Sequence, residues 1–344
     1  MSALKFFAAS NTEAGFVSYF AENFRRRADR SYIIKGGPGT GKSRLMREMG
    51  EAWENAGAKV EYYYCSSDPL SLDGLYVDRS GEGIAVMDGT APHSEDIVNA
   101  GVVDNIIDLG RFWDAKILRS RRKDISAFGE EKKRAYAAAY RALAAYGSTT
   151  RAADALAESC ADKQAIEEEA AKIALSLKKE RMLPSPTSAI GMRGSVAFDS
   201  FRESAGLTLC ISDCRGYGLS YLYFDALVRA VGSCRVAPHP ILKGRYSGIL
   251  SGDVAVVEAA ITDRGENVID ISDFVDRSLY LLVKDRAERL RAAADTMLEE
   301  AKESFREAGA AHMKIEEIFA TAMNFSEKEA YSAELCAKIA SGDL

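Results

Sequence analysis

The sequence predicts an α/β fold built twice in tandem, with parallel sheets and a helical hairpin after each. Three observations predict it. A glycine-rich octapeptide, GGPGTGKS at 36–43, lies between an apolar run and an amphipathic run. Residues 187–344 repeat the pattern of residues 1–183 in the same order. Residues 114–179 are rich in Ala, Glu, Lys and Arg with almost no Gly or Pro, a composition of long helices.

Taken in order, Leu4 to Ala8 is apolar enough for a strand, and Phe16, Tyr19, Phe20 and Phe24 are spaced as the buried face of a helix over 12–24. Ser31 to Lys35 reads as a short strand leading into the octapeptide. Leu45, Met46, Met49 and Trp53 then recur at helical spacing until Gly57 stops the run. Lys59 to Tyr64 is rich in β-formers. Gly83 to Asp88 is apolar until its closing carboxylate. Strands apolar on both faces suit a parallel sheet buried between helices. The hairpin over 114–179 is expected to break near Gly147, and Pro184 to Ser188 reads as the linker between domains 1–183 and 187–344.

The octapeptide matches the phosphate-loop spacing G-x-x-x-x-G-K-S, which makes each half a P-loop NTPase-like domain. Such a loop curls tightly and aims backbone N–H groups at phosphate oxygens. Gly36, Gly37, Pro38, Gly39, Thr40, Gly41, Lys42 and Ser43, with the adjoining Arg44, form the expected ATP cradle. Lys42 would neutralise the β- and γ-phosphates, and the Ser43 hydroxyl would bind Mg²⁺. Asp88 ends the next apolar strand, where an acid holds the same Mg²⁺. Thr90 and His93 follow it in the loop leaving the sheet. Gly89 stands directly after Asp88 where many such ATPases have a glutamate, so the general base is sought elsewhere. Asp68 is the expected base because it follows the strand end, with Asp73 and Glu61 as substitutes.

Internal similarity places Leu209–Leu222 on Tyr32–Leu45 at an offset of 177. Gly39, Gly41, Ser43 and Leu45 recur as Gly216, Gly218, Ser220 and Leu222, but Lys42 becomes Leu219 and Gly36 becomes Asp213. Residues 106–114 fall on 268–276 at an offset of 162, which then holds through the helices to Gly147 and Gly309. The second phosphate site is therefore expected to be spent, unless Arg215 compensates or reaches toward the first site.

The motifs GGPGTGKS at 36–43, CSSDPLSLDG at 65–74 and VMDGTAPH at 86–93 make the chain resemble a group of bacterial two-half P-loop proteins described as ATPases. The resemblance spans nearly the whole chain and is weaker in the second half. It implies ATP binding, phosphate and Mg²⁺ contacts from Lys42 and Ser43, and a direct or indirect Mg²⁺ contact from Asp88. It implies no substrate, and Leu219 departs from the group's pattern.

The 344 residues carry a net charge of −6, which argues against a general nucleic-acid or anionic-membrane partner. No run of 18 apolar residues predicts a membrane span, and nothing at the start resembles a signal peptide. Six scattered cysteines with three histidines suggest reduced thiols in a cytoplasm and no zinc site. Three functions fit. The first is a slow Mg-dependent ATPase with one active site and a degenerate, regulatory second half. The others are a small-molecule kinase with a helical lid and a nucleotide-gated scaffold. The protein or small-molecule partner is not specified by any motif.

Overall fold

In the computed structural model, which describes residues 3–91, 97–259 and 267–343, the chain is α/β with two six-stranded sheets. The first half runs β1 (Leu4–Phe7), β2 (Ala9–Thr12), β3 (Gly15–Ser18), β4 (Arg30–Lys35), α1 (Lys42–Asn55), β5 (Lys59–Tyr64), β6 (Leu72–Arg79), β7 (Glu82–Asp88) and β8 (Asp104–Asp108). Three helices follow: α2 (Ala115–Ser120), α3 (Arg122–Glu158) and α4 (Lys163–Ala174). The second half begins with β9 (Leu183–Pro184), β10 (Ser188–Gly191), β11 (Gly194–Ala197), α5 (Ser200–Ser204), β12 (Leu207–Ser212) and α6 (Ser220–Val231). It ends with β13 (Arg235–Pro238), β14 (Tyr246–Ser251), β15 (Val254–Glu258), β16 (Val268–Asp270), α7 (Arg277–Ala322) and α8 (Phe325–Ser341).

The two sheets have the same order, β1-β5-β6-β7-β4-β8 and β9-β13-β14-β15-β12-β16. Each step is parallel or antiparallel alike in both: parallel at the outer pairs and around β4 and β12, antiparallel around β6 and β14. The sheets are thus mixed, which corrects the expectation of parallel ones. The reason is local. Two residues, Ser80 (φ 55°) and Gly81 (φ 93°), join β6 to β7. A two-residue connection makes a hairpin, whereas a parallel pair needs a crossover of a dozen residues or more.

Two other expectations change. Residues 12–24 hold a β2–β3 hairpin and a short helical turn over Ala21–Arg25, not one helix. Thr12 closes the hairpin by donating its hydroxyl to Gly15 O at 2.8 Å and accepting from Ala14 N at 3.2 Å. Phe20 and Phe24 still pack edge to face, so their spacing served the turn. Nor does the helix break at Gly147, which lies inside the 37-residue α3. A Cβ there would come within 2.6 Å of Glu13, so the glycine permits close approach rather than a turn.

The expected helical hairpins do not form within each half. Instead α3 lies antiparallel along α7, and the shorter helices are exchanged. Helix α4 packs on α6 of the second half, and α8 packs on α1 of the first. Ile166 and Ala170 thereby join a core with Tyr223 and Leu227, while Leu335 and Ile339 join one with Met49 and Trp53. A third core, with Ile33, Ala85 and Met87 from one sheet and Ala237, Leu250 and Ala255 from the other, lies between the halves. The stretch 184–188 is tied to both sheets: Ser185 N donates to Val236 O and Phe7 N to Pro186 O, each at 2.8 Å.

Leu335 is 5% exposed and sits against the first half's core. Leu335→Ala should therefore cost about 2–4 kcal/mol of stability, as for a buried leucine elsewhere. Urea unfolding followed by emission of the buried Trp53 reads this, and an unshifted midpoint would refute the helix exchange.

Candidate nucleotide site

The octapeptide leaves the carboxyl end of β4, whose residues Tyr32 to Ile34 are buried between parallel neighbours β7 and β8. It closes into the first turn of α1, with Gly39 (φ 69°) and Gly41 (φ 84°) in the left-handed region. Side chains disfavour that conformation, so glycine is required at both. Thr40, fully buried, donates its hydroxyl to Gly37 O at 2.8 Å and braces the curl.

Lys42 folds back over the loop. Its ammonium donates to Gly36 O at 3.0 Å and Gly37 O at 2.9 Å, and stands 3.6 Å from an Asp88 oxygen. Asp88 reaches it because β7 runs parallel to β4 and ends beside the loop, with Asp88 opposite Ile34. Burial raises the Asp88 pKa, Lys42 opposes the rise, and Asp73 adds to it. The other Asp88 oxygen accepts from Thr90 N at 2.9 Å and Thr90 Oγ1 at 2.6 Å. Ser43 Oγ accepts from Leu72 N at 2.9 Å, which leaves the hydroxyl proton and a lone pair for a ligand.

These groups line one cavity of about 540 Å³, a size suited to a small molecule. Gly36 to Ser43, Asp68, Asp73, Asp88 and Thr90 all face it. Arg44 does not: it is exposed and paired with Glu48 and Glu329 at 2.8 and 3.0 Å. Asp68 is drawn to Arg193 Nε at 2.9 Å. Glu61 lies elsewhere, clasped by Arg27 at 2.7 Å and Arg235 at 2.6 Å. Burial would raise its pKa, but the two guanidinium groups outweigh that and hold it at about 2. His93 lies outside the described residues. Arg215 is exposed in its own loop, bonded to Tyr217, and does not line the cavity.

Five lining residues had no motif to announce them: Lys132 and Tyr136 on α3, Met192 between β10 and β11, and His312 and Glu316 on α7. Lys132 Nζ lies 3.1 Å from His312 Nδ1. An ammonium only donates, so Nδ1 accepts and the imidazole is neutral. Burial, with Lys132 and Lys42 nearby, pushes the His312 pKa down to about 4. The i, i+4 spacing of His312 and Glu316 was the one available signal.

The equivalent loop of the second half is filled from within. Asp213, at the place of Gly36, accepts from the backbone N–H groups of Tyr217 (2.9 Å), Gly218 (2.5 Å) and Leu219 (3.3 Å). Leu219, at the place of Lys42, is fully buried in the hydrophobic core. Arg291 also donates to Tyr217 O.

Comparison of the chain with protein-family models, curated proteins and solved structures returns no match. Among the described residues, no helix is long and apolar enough to cross a membrane.

His312 should titrate near pH 4, well below the ordinary value of about 6.5. A histidine held neutral when folded takes up its proton on unfolding, so this contribution to stability falls as pH drops from 6.5 to 4. Ring proton shifts followed by NMR read the midpoint directly. A midpoint above 6 would show that the imidazole is not held buried beside Lys132 and Lys42.

Proposed function

We propose that the chain binds Mg-ATP at the first loop and hydrolyses it slowly, with one nucleotide site per chain. The observation that carries this reading is the Lys42 ammonium held 3.6 Å from Asp88, at the mouth of a glycine-rich strand-to-helix loop. A cation beside a ring of backbone N–H groups at a helix N-terminus suits an anion with closely spaced charges, such as a triphosphate. The reading places the chain with P-loop NTPases in both fold and family, as its motifs suggest.

The donor set fits Mg²⁺. Among the described residues no group of three His, Cys, Asp or Glu forms a metal cage. Mg²⁺ commonly takes one or two protein ligands and completes its shell with phosphate oxygens and water. Ser43 and Asp88, both lining this cavity, would hold it there. When bound, the ion neutralises charge on the transferring phosphoryl group. In this reading Lys42 exchanges its two carbonyl partners for phosphate oxygens. Thr90 keeps Asp88 oriented through its two hydrogen bonds.

Slow turnover follows from the surroundings. Gly89 offers no carboxylate, and Asp68 shares its charge with Arg193. ATP is preferred to GTP because no Asn-Lys-x-Asp signature occurs. The second loop supports the count of one site, because Asp213 occupies its N–H groups with a built-in anion and Leu219 supplies no charge.

Calorimetry on the full chain should give a stoichiometry near one, and Lys42→Ala should abolish Mg-ATP binding while circular dichroism shows a retained fold. Two equivalent sites, or unaltered binding by the variant, would overturn the reading.

Asp88→Asn should weaken Mg-ATP binding by at least about tenfold while leaving metal-free ATP binding little changed, because its charge faces the metal. Equal losses with and without Mg²⁺ would make Asp88 a structural residue.

A further inference from the structure

One face of α7 lies on the phosphate loop of the other half. His312, Glu316 and Phe319 share that face, being four and three residues apart. A Cβ on Gly37 would come within 2.4 Å of the Phe319 ring, and one on Gly39 within 2.7 Å of the Glu316 carbonyl. Glu316 itself lines the cavity with Lys42, next to Gly39 of the loop, and its carboxylate stands 3.6 Å from His312 Nε2. A carboxylate of the chain thus shares the cavity with the loop and its lysine.

The second half shows the same device in fixed form. At the offset of 162, Asp154 of α3 corresponds to Glu316, and Thr150 to His312. Asp154 likewise approaches the opposite loop, 3.3 Å from the position of a Cβ on Gly218. It is neutralised there by Arg245 at 2.6 Å and Arg291 at 3.7 Å, while Asp213 takes the loop amides. In the first half position 36 is glycine, so no carboxylate is built into the loop, and the only one presented from the long helix is Glu316 among the described residues lining that face.

We propose that Glu316 is an internal competitor at the first loop: its carboxylate occupies the anion position until nucleotide phosphate displaces it and moves that face of α7 away. The proposal rests on the nucleotide reading above and assigns the regulation of that site to the second half. Like charges brought together in a partly buried cavity repel strongly, so phosphate and carboxylate do not share the loop. Because α7 pairs along α3, the displacement is passed to the helix pair.

The test uses the full chain, with Mg-ATP and inorganic triphosphate as probes in calorimetry. Glu316→Gln keeps the shape and removes the charge, and should bind both at least about tenfold more tightly than the parent. Glu317→Gln, an exposed neighbour, should bind as the parent does. A second readout needs no variant at position 316. Trp113 packs edge-on against Phe319, ring centres 5.8 Å apart, so its emission, assigned by Trp113→Phe, should change when Mg-ATP saturates the parent. Affinity equal to or weaker than the parent's in Glu316→Gln, or an unmoved Trp113 signal at saturation, overturns the competitor. If the parent binds and Lys42→Ala does not, that failure leaves the nucleotide reading standing. If neither the parent nor Glu316→Gln binds either probe, the nucleotide reading falls and the competitor with it.

Discussion

The antiparallel pairing of α3 with α7 is the contact on which the rest of the architecture depends. Many of its buried positions are small, Ala135, Ala139, Ala142 and Gly147 on one helix and Ala294, Ala301, Ala308 and Gly309 on the other, with Leu143 and Phe305 packed among them. Small side chains let the two backbones approach closely over many turns. Once the long helices are locked, the chain ends beyond them are carried to the opposite half, where α4 covers α6 and α8 covers α1. The strand-like contacts at the far ends repeat this symmetry, Trp113 with Met323 and Ala161 with Val275. The two α/β halves are therefore joined through exchanged helices. They complete one another's cores.

Both strand-to-helix loops obey one electrostatic requirement. A ring of backbone N–H groups gathered at a helix start attracts negative charge, and burial makes leaving it without a partner costly. The second half meets the requirement permanently with Asp213, and its neighbouring lysine position has become the core residue Leu219. The first half keeps Lys42 tied to two carbonyl oxygens and to Asp88, an arrangement that satisfies the ammonium without consuming the loop amides. The same strand-to-helix arrangement thus meets one requirement from within the loop in the second half and, in the proposal above, from α7 in the first.

What was legible in the sequence was what depends on near neighbours. Gly36 to Ser43, the strand before them and the closing carboxylate Asp88 occupy short segments whose chemistry and spacing declare them. The likeness of the two halves was legible too, and their sheets share one strand order, with register shifts at Tyr63/Tyr64 and Ala237/Pro238. Strand β6 was not read, because its direction follows from a two-residue turn rather than from its own pattern. The spacing of Phe16, Phe20 and Phe24 fits a helix equally well, and only the Thr12–Gly15 closure turns the chain back. His312 and Glu316 lie about 270 residues from the loop they face, and no local rule connects them.

Helix exchange also sets an order of events at the ribosome. Helix α1 buries its apolar face against α8, which begins 270 residues after α1 ends. At about 5–20 residues per second, that partner emerges on the order of tens of seconds later. Until then Met46, Met49 and Trp53 lack part of their cover, and the nascent first half presents apolar surface of the kind that chaperones bind. The loop that would hold nucleotide is consequently among the first parts to be synthesised and among the last to acquire its native surroundings. A chain stopped anywhere before residue 325 leaves that surface open, so premature termination yields a target for proteolysis instead of a working half.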